Sequence, residues 1–236
     1  MSCEANSAST SPAAEPVPGE GHAGFWPLFD LVVRTPRLEL RLPREEEFGA
    51  IVALVDGGIH DPGTMPFFIP WTDAEPRVRA QETAKWLWRN RSNWSPDDWN
   101  FTAAVVVDGE PVGMQDMKAT HFRAVRSVET GSWLGREHQG RGLGREMREA
   151  VLHLAFAGLG AAEALSGAIE DNEASLATSR AVGYEENGEA RGHRRDGSGR
   201  TVRFRLSREV WEGRRRTDIE LVGLAGCLDM FVGQTG

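Results

Sequence analysis

The stretch SWLGREHQGRGLGREMREAVLHLAF, residues 132–156, constrains the fold more tightly than any other part of the chain. A strand-like run passes through Gly140, Gly142 and Gly144 into Leu143, Met147, Ala150, Val151, Leu154 and Ala155, which recur at helical spacing. Arg145, Arg148, Glu149 and His153 fall off that stripe, and Arg148 reads as plain solvated surface. A strand that enters a helix through glycines gathers free backbone N–H groups at the positive end of the helix dipole. An anion fits there, most naturally a pyrophosphate. The Walker pattern GxxxxGK[ST] has neither this spacing nor a lysine here. The dinucleotide pattern GxGxxG would need glycine where Arg145 stands, although the acidic pair Glu170-Asp171 after the next strand keeps that reading open.

The flanking pattern predicts an α+β fold. Leu38, Leu40 and Leu42 alternate with Arg37, Glu39 and Arg41, which predicts one strand over Thr35–Pro43. Glutamates then open a short helix that stops at Gly57-Gly58. Residues 59–75 carry Pro62, Pro66 and Pro70 within the apolar PFFIPW, so they form an irregular loop that either binds a ligand or packs on the core. A second helix covers residues 74–94. Asp108-Gly109 then joins two apolar runs as a type I′ hairpin turn. A strand RSVETGSWL leads into the glycine segment. Ala164–Glu170 reads as a buried strand, Asn172–Val182 as a helix stopped at Gly183, and RDGSGR as the tip of a last hairpin.

With 40% hydrophobic and 26% charged residues the composition is that of a soluble globular protein, and a net charge of −8 disfavours general nucleic-acid binding. The basic stretch Arg191–Arg205 could still meet a local anion. Cys3 and Cys227 have neither a CxxC partner nor clustered histidines, which predicts no metal site and reduced thiols in a cytoplasm. No apolar run is long enough for a membrane span. Residues 1–30 read as a disordered tail, 31–212 as the folded domain, and 213–236 as an apolar extension that could dock on the domain or on a second copy in a homodimer.

QGRGLG (Gln139–Gly144) resembles the Q/R-x-x-G-x-G/A signature of the GNAT superfamily of N-acetyltransferases, with Gln139, Gly142 and Gly144 at the defining places. TPRLELR, VETGSWLG and NEASLATSRAVGY are similar to successive segments of its RimJ/RimL-type branch, so the resemblance spans residues 34–210 in the right order. It implies a mixed, mostly antiparallel central sheet flanked by helices on both faces. It also implies that Gln139, Gly140, Arg141, Gly142, Leu143, Gly144 and Arg145 cradle the pyrophosphate of acetyl-CoA or another acyl-CoA. The pantetheine would run beside Ser132, Trp133 and Leu134, with Asn172 contributing from the following helix.

Acyl transfer to an amine needs removal of an ammonium proton, stabilisation of an oxyanion and a proton for the thiolate. Glu129 matches the branch's E-x-G-x-W glutamate and is the candidate base; its other reading is an ion pair with an arginine such as Arg126. The resemblance assigns the oxyanion to backbone N–H groups around Ser132–Leu134. Where other branches carry an acidic tyrosine this chain has Ser179, which shares a helix face with Asn172 and Ser175, so a serine hydroxyl or a bound water could serve the sulfur. For Ser175 the competing reading is a local bond to backbone. Tyr184 reads as packing. Of the tryptophans Trp71, Trp86, Trp88, Trp94 and Trp99, Trp71 with Phe67 and Phe68 is the expected acceptor-pocket lining. The implied activity is acetyl transfer to a primary amine of a small molecule or protein N-terminus. Two alternatives stay open: an acyl carrier protein or aminoacyl-tRNA as donor, docked on Arg191–Arg205, and a non-catalytic CoA-binding module.

Overall fold

The computed structural model describes residues 24–195 and 197–233. Two short strands, β1 (Val32–Arg34) and β2 (Glu39–Arg41), pair through a turn in which Thr35 N–H donates to Leu38 O at 2.9 Å. The single strand expected across Thr35–Pro43 is therefore broken at Pro36. Its alternation persists because Leu38 in the turn is buried along with Leu40 and Leu42. Helices α1 (Phe48–Asp56) and α2 (Pro76–Ser92) follow, separated by the proline-rich loop. Asp108 and Gly109, both at positive φ, join β3 (Trp99–Val107) to β4 (Glu110–Ala119), as a type I′ turn requires.

A short helix α3 (Phe122–Val125) leads to β5 (Ser127–Leu134), the glycine segment and α4 (Leu143–His153). The chain continues through β6 (Glu163–Ile169), α5 (Glu173–Val182), the hairpin β7 (Glu185–Arg194) and β8 (Gly197–Ser207), then α6 (Arg208–Glu212), β9 (Glu220–Val222) and α7 (Leu224–Val232). All the strands form one sheet in the order β7-β8-β6-β5-β4-β3-β2-β1-β9. Among the described residues only the β5–β6 pair is parallel. Phe101, Ala103 and Val105 face the main core with Leu143, Met147, Ala150 and Leu176, whereas Ala104, Val106 and Met114 face α1 and α2 through Phe48, Ile51 and Leu87. Helices thus cover both faces.

The first and last described elements join this core. Strand β9 pairs with β1, and α7 buries Cys227 and Phe231, the latter against Trp94, Trp99 and Phe101. The expected tail ran to residue 30. Its residues 1–23 lie outside the described residues, but Pro27–Asp30 form a helical turn that buries Leu28, so the ordered domain starts before residue 31.

Candidate functional site

Strands β5 and β6 pair at only three positions, Ser127↔Glu163, Val128↔Ala164 and Glu129↔Leu165, and then part. At the fork the hydroxyls take over from the backbone ladder. Thr130 Oγ1 donates to Leu165 O at 3.4 Å and Ser166 Oγ donates to Thr130 O at 3.3 Å. Beyond it β5 remains paired with β4 as far as Leu134, and β6 with β8 as far as Ile169, so a gap opens between them. Arg148 spans this gap from the α4 side, donating to Ser132 Oγ on β5 at 3.0 Å and to Ser166 Oγ on β6 at 3.2 Å. The solvated position expected for Arg148 is incorrect, because the sheet and α5 enclose a wider arc of α4 than its apolar stripe. Tyr184, the expected packing residue, is buried beside it and shares a 3.0 Å hydrogen bond with Thr130 Oγ1. Burial pushes its phenol above the usual range, opposed by Arg148 and Thr130.

The glycine segment lies at the open end of the gap. Gly140 and Gly142 both have positive φ, and Gly142 is the N-cap of α4, whose first turn receives no side-chain cap. That leaves the helix N-terminus free of competing side-chain acceptors. Arg37, from the β1–β2 turn, braces the segment by donating to Arg141 O at 2.9 Å and pairing with Glu146 in the first turn of α4. Glu146 is buried and also accepts from Thr35 Oγ1 at 2.6 Å; these donors hold its carboxyl below the usual range against the opposing effect of burial. Gln139 uses its amide N–H groups on Ile59 O and Leu134 O, both at 2.8 Å, and so ties the segment to the start of the proline-rich loop. Leu143 is buried beneath it, Arg141 is exposed, and Arg145 pairs with Glu149 at 2.8 Å. Leu134 is buried as well.

The other face of the sheet carries the loop. Rings run in contact from His60 through Phe67 and Trp71 to Trp133 on β5, with centroids 5.9, 5.5 and 6.3 Å apart. Phe68 instead packs against Gly192 of β7, where a Cβ would come within 2.5 Å of its ring, and Asp73 bonds Arg195 at the hairpin tip. The loop therefore crosses from α1 to the β7–β8 hairpin. Of the five tryptophans of residues 71–99, only Trp71 belongs to the ring chain that reaches Trp133. Trp94 and Trp99 pack on α7, Trp86 joins the core beneath α2, and Trp88 is exposed with its indole N–H on Glu45. A groove of about 750 Å³ between α1 and the β3–β4 turn borders Gly135–His138 but includes no fork residue.

Two carboxylates lie on the Trp133 face. Glu129 is half exposed and paired with Lys118, not with an arginine, at 3.1 Å. Asp116, which sequence reasoning did not single out, pairs across the strands with Gly131, whose missing side chain leaves its carboxyl uncovered. Its Oδ1 is closed off from solvent and has no hydrogen-bond partner, and burial pushes the carboxyl up to about 7, with Lys118 pulling the other way. Its place opposite Gly131 depends on the β4–β5 register, which the local sequence does not carry. On α5, Asn172 accepts from Ser175 N–H at 3.1 Å as an N-cap, Ser175 is half-buried, and Ser179 is fully buried with an unpartnered Oγ. The basic hairpin is largely neutralised, by the pairs Arg194–Asp171, Arg195–Asp73, Arg200–Glu170 and Arg205–Glu163.

An uncapped helix N-terminus beside two parting parallel strands suits a long anionic ligand, with the phosphates at α4 and the remainder in the gap. The family model described as acetyltransferase (GNAT) domain matches residues 37–185, well over half the chain. The fold is similar to that of Mycobacterium smegmatis RimJ in complex with CoA-disulfide, at 18% identity and TM-score 0.64, covering 79% of this chain and 96% of that one. It is also similar to RimL, a ribosomal L7/L12 alpha-N-protein acetyltransferase in complex with coenzyme A, at 15% identity and TM-score 0.61, covering 75% and 97%. A third similar structure is the microcin C7 self-immunity acetyltransferase MccE with acetyl-CoA and AMP, at 15% identity and TM-score 0.59, covering 73% and 93%. With its fold, its glycine segment and this match agreeing, the chain belongs to the GNAT acetyltransferase family.

Proposed function

We propose that this acyltransferase moves an acyl group from acyl-CoA to a primary amine that enters over Trp71 and Trp133, with Asp116 as the base. The observation that carries the assignment is the unpartnered Oδ1 of Asp116 in a carboxyl held near neutral pKa, beside Gly131 and one strand from the fork. A base with that pKa is ionised just above neutrality yet still basic enough to accept an ammonium proton. Glu129, the candidate from the sequence, becomes a positioning residue in this reading: it occupies the Lys118 ammonium that otherwise acts on Asp116. The N–H groups of Gly140–Arg145 receive the pyrophosphate, and the free edge of β5 at Ser132–Leu134 lines the pantetheine and carbonyl. Amine nitrogen bonds to the thioester carbon, the C–S bond breaks, and the sulfur leaves toward α5, where Ser175 and Ser179 supply hydroxyls. A CoA thiol leaves readily, so neither serine need be an acid of its own. The acceptor is a protein N-terminus or a small amine; the name of the similar RimL structure, an alpha-N-protein acetyltransferase, lends weight to the former. The neutralised arginines of the β7–β8 hairpin speak against an acyl carrier protein or aminoacyl-tRNA docking there. Thiol release measured across a library of N-terminal peptides and small amines, with product masses, tests the reading. One acceptor class should release CoA in step with an acylated product. CoA binding with no amine-dependent thiol release from any acceptor would make the chain a binding module.

A further inference from the structure

The fork contains an ion without a counter-ion. Arg148 is only 3% exposed, and its guanidinium is a cation. Its bonds run to two neutral hydroxyls, Ser132 Oγ and Ser166 Oγ; its Nε–H has no acceptor, and no carboxylate among the described residues pairs with it. Two other enclosed charges are matched, Glu146 by Arg37 and Arg41 by Glu47. An unpaired buried cation is among the costliest arrangements a fold can hold, and it is expected where a ligand completes it. The other groups at the same point are neutral hydroxyls. The Tyr184 and Thr130 hydroxyls share one hydrogen bond beside the guanidinium, and Ser132 and Ser166 flank it. The free Nε–H of the guanidinium and the undonated Ser132 hydroxyl proton beside it match the two oxygens of a carboxylate, whereas a methyl group would leave both unanswered.

We infer that the acyl group transferred by this enzyme ends in a carboxylate, so that its donor is a short dicarboxylic acyl-CoA whose free carboxylate pairs with Arg148 across the gap between β5 and β6. The inference rests on the reading of that gap as the acyl-CoA site. The chemistry is otherwise that of acetyl transfer. One ammonium proton goes to Asp116, the freed amine nitrogen gains the bond to the thioester carbon, the C–S bond breaks with its electron pair on sulfur, and the proton then shed by that nitrogen goes to the thiolate. No oxidation occurs. The product is an amide with a free carboxylate, which turns a cationic acceptor group into an anionic one.

Titration calorimetry of the full chain with CoA, acetyl-CoA, butyryl-CoA and the malonyl, succinyl and glutaryl thioesters tests this without knowing the acceptor. At least one dicarboxylic donor should bind ten-fold or more tightly than butyryl-CoA, which has similar bulk and no charge. Arg148→Met should bring that ratio close to one, read against CoA itself in the same protein, and Arg148→Lys should keep part of it. If butyryl-CoA and all three dicarboxylic donors bind the unmodified protein equally well, the inference fails whether or not the variants fold, and the acyl-CoA reading stands. If CoA itself does not bind, the acyl-CoA reading fails and takes this inference with it.

Discussion

Asp116 and Glu129 lie two residues apart in register on neighbouring strands, and their surroundings set opposite chemistry. Glu129 faces solvent and a lysine; Asp116 has a carboxylate oxygen that nothing bonds. If Asp116 takes the amine proton, turnover should rise with pH through about 7 and then level. Asp116→Asn should lower it by about 10²-fold and remove that inflection. Glu129→Gln should cost less and move the inflection to lower pH, since Lys118, relieved of its partner, favours the Asp116 carboxylate more strongly. Equal losses with no movement of the inflection would return the base to Glu129. The same shift has a consequence for stability. The folded pKa lies above the unfolded one, so the Asp116 contribution is fully present below the unfolded pKa and is lost as pH rises through about 7. Melting curves of Asp116→Asn and the unmodified chain should therefore diverge in favour of the variant as pH rises from about 4 to about 7 and keep a constant separation above that. Neither Asp116 nor Arg148 announced this in the sequence. Each sits at a position whose local pattern reads as ordinary surface, and only the pairing of β4 with β5, or the packing of α4 under the fork, encloses it.

Elements were legible where local chemistry alone decides them. The Asp108-Gly109 turn, the α4 stripe and the Gly183 stop of α5 stand at positive φ or helical spacing as the residues require. The β1–β2 turn was hidden because Leu38 stays buried inside it, and β9 and α7 were hidden because their partners, β1 and the Trp94–Trp99 pair, are remote in sequence. The glycines of the α4 entry differ in ways their spacing does not reveal. Gly142 stands at φ +80°, whereas a Cβ on Gly144 would meet only Leu134 Cδ1 at an ordinary 3.9 Å. Gly144→Ala should accordingly leave stability within about 0.5 kcal/mol, and Gly142→Ala should cost roughly 1 kcal/mol or more. Denaturant titration distinguishes them, and equal costs would mean that the entry turn is not held at positive φ.

Across the whole molecule, the C-terminal segment completes the core and the proline-rich loop links α1 to the far hairpin, so the fork lies inside one continuous body. Phe231 is fully buried among Trp94, Trp99 and Phe101, and Phe231→Ala should cost about 3–5 kcal/mol in chemical denaturation. A loss under 1 kcal/mol would mean that α7 is not seated there in solution. The proposal that acyl-CoA binds where α4, β5 and β6 meet is most directly tested by titrating CoA into the unmodified chain and into Gly142→Glu while following the melting temperature. A ligand that binds only the folded state raises it by mass action, so CoA should raise the midpoint of the unmodified chain progressively with concentration. In Gly142→Glu a carboxylate sits at the α4 N-terminus, and the shift should vanish while the variant's own midpoint without CoA still reports a cooperative fold. A folded Gly142→Glu variant that responds to CoA as the unmodified chain does would contradict the placement of the phosphates at α4.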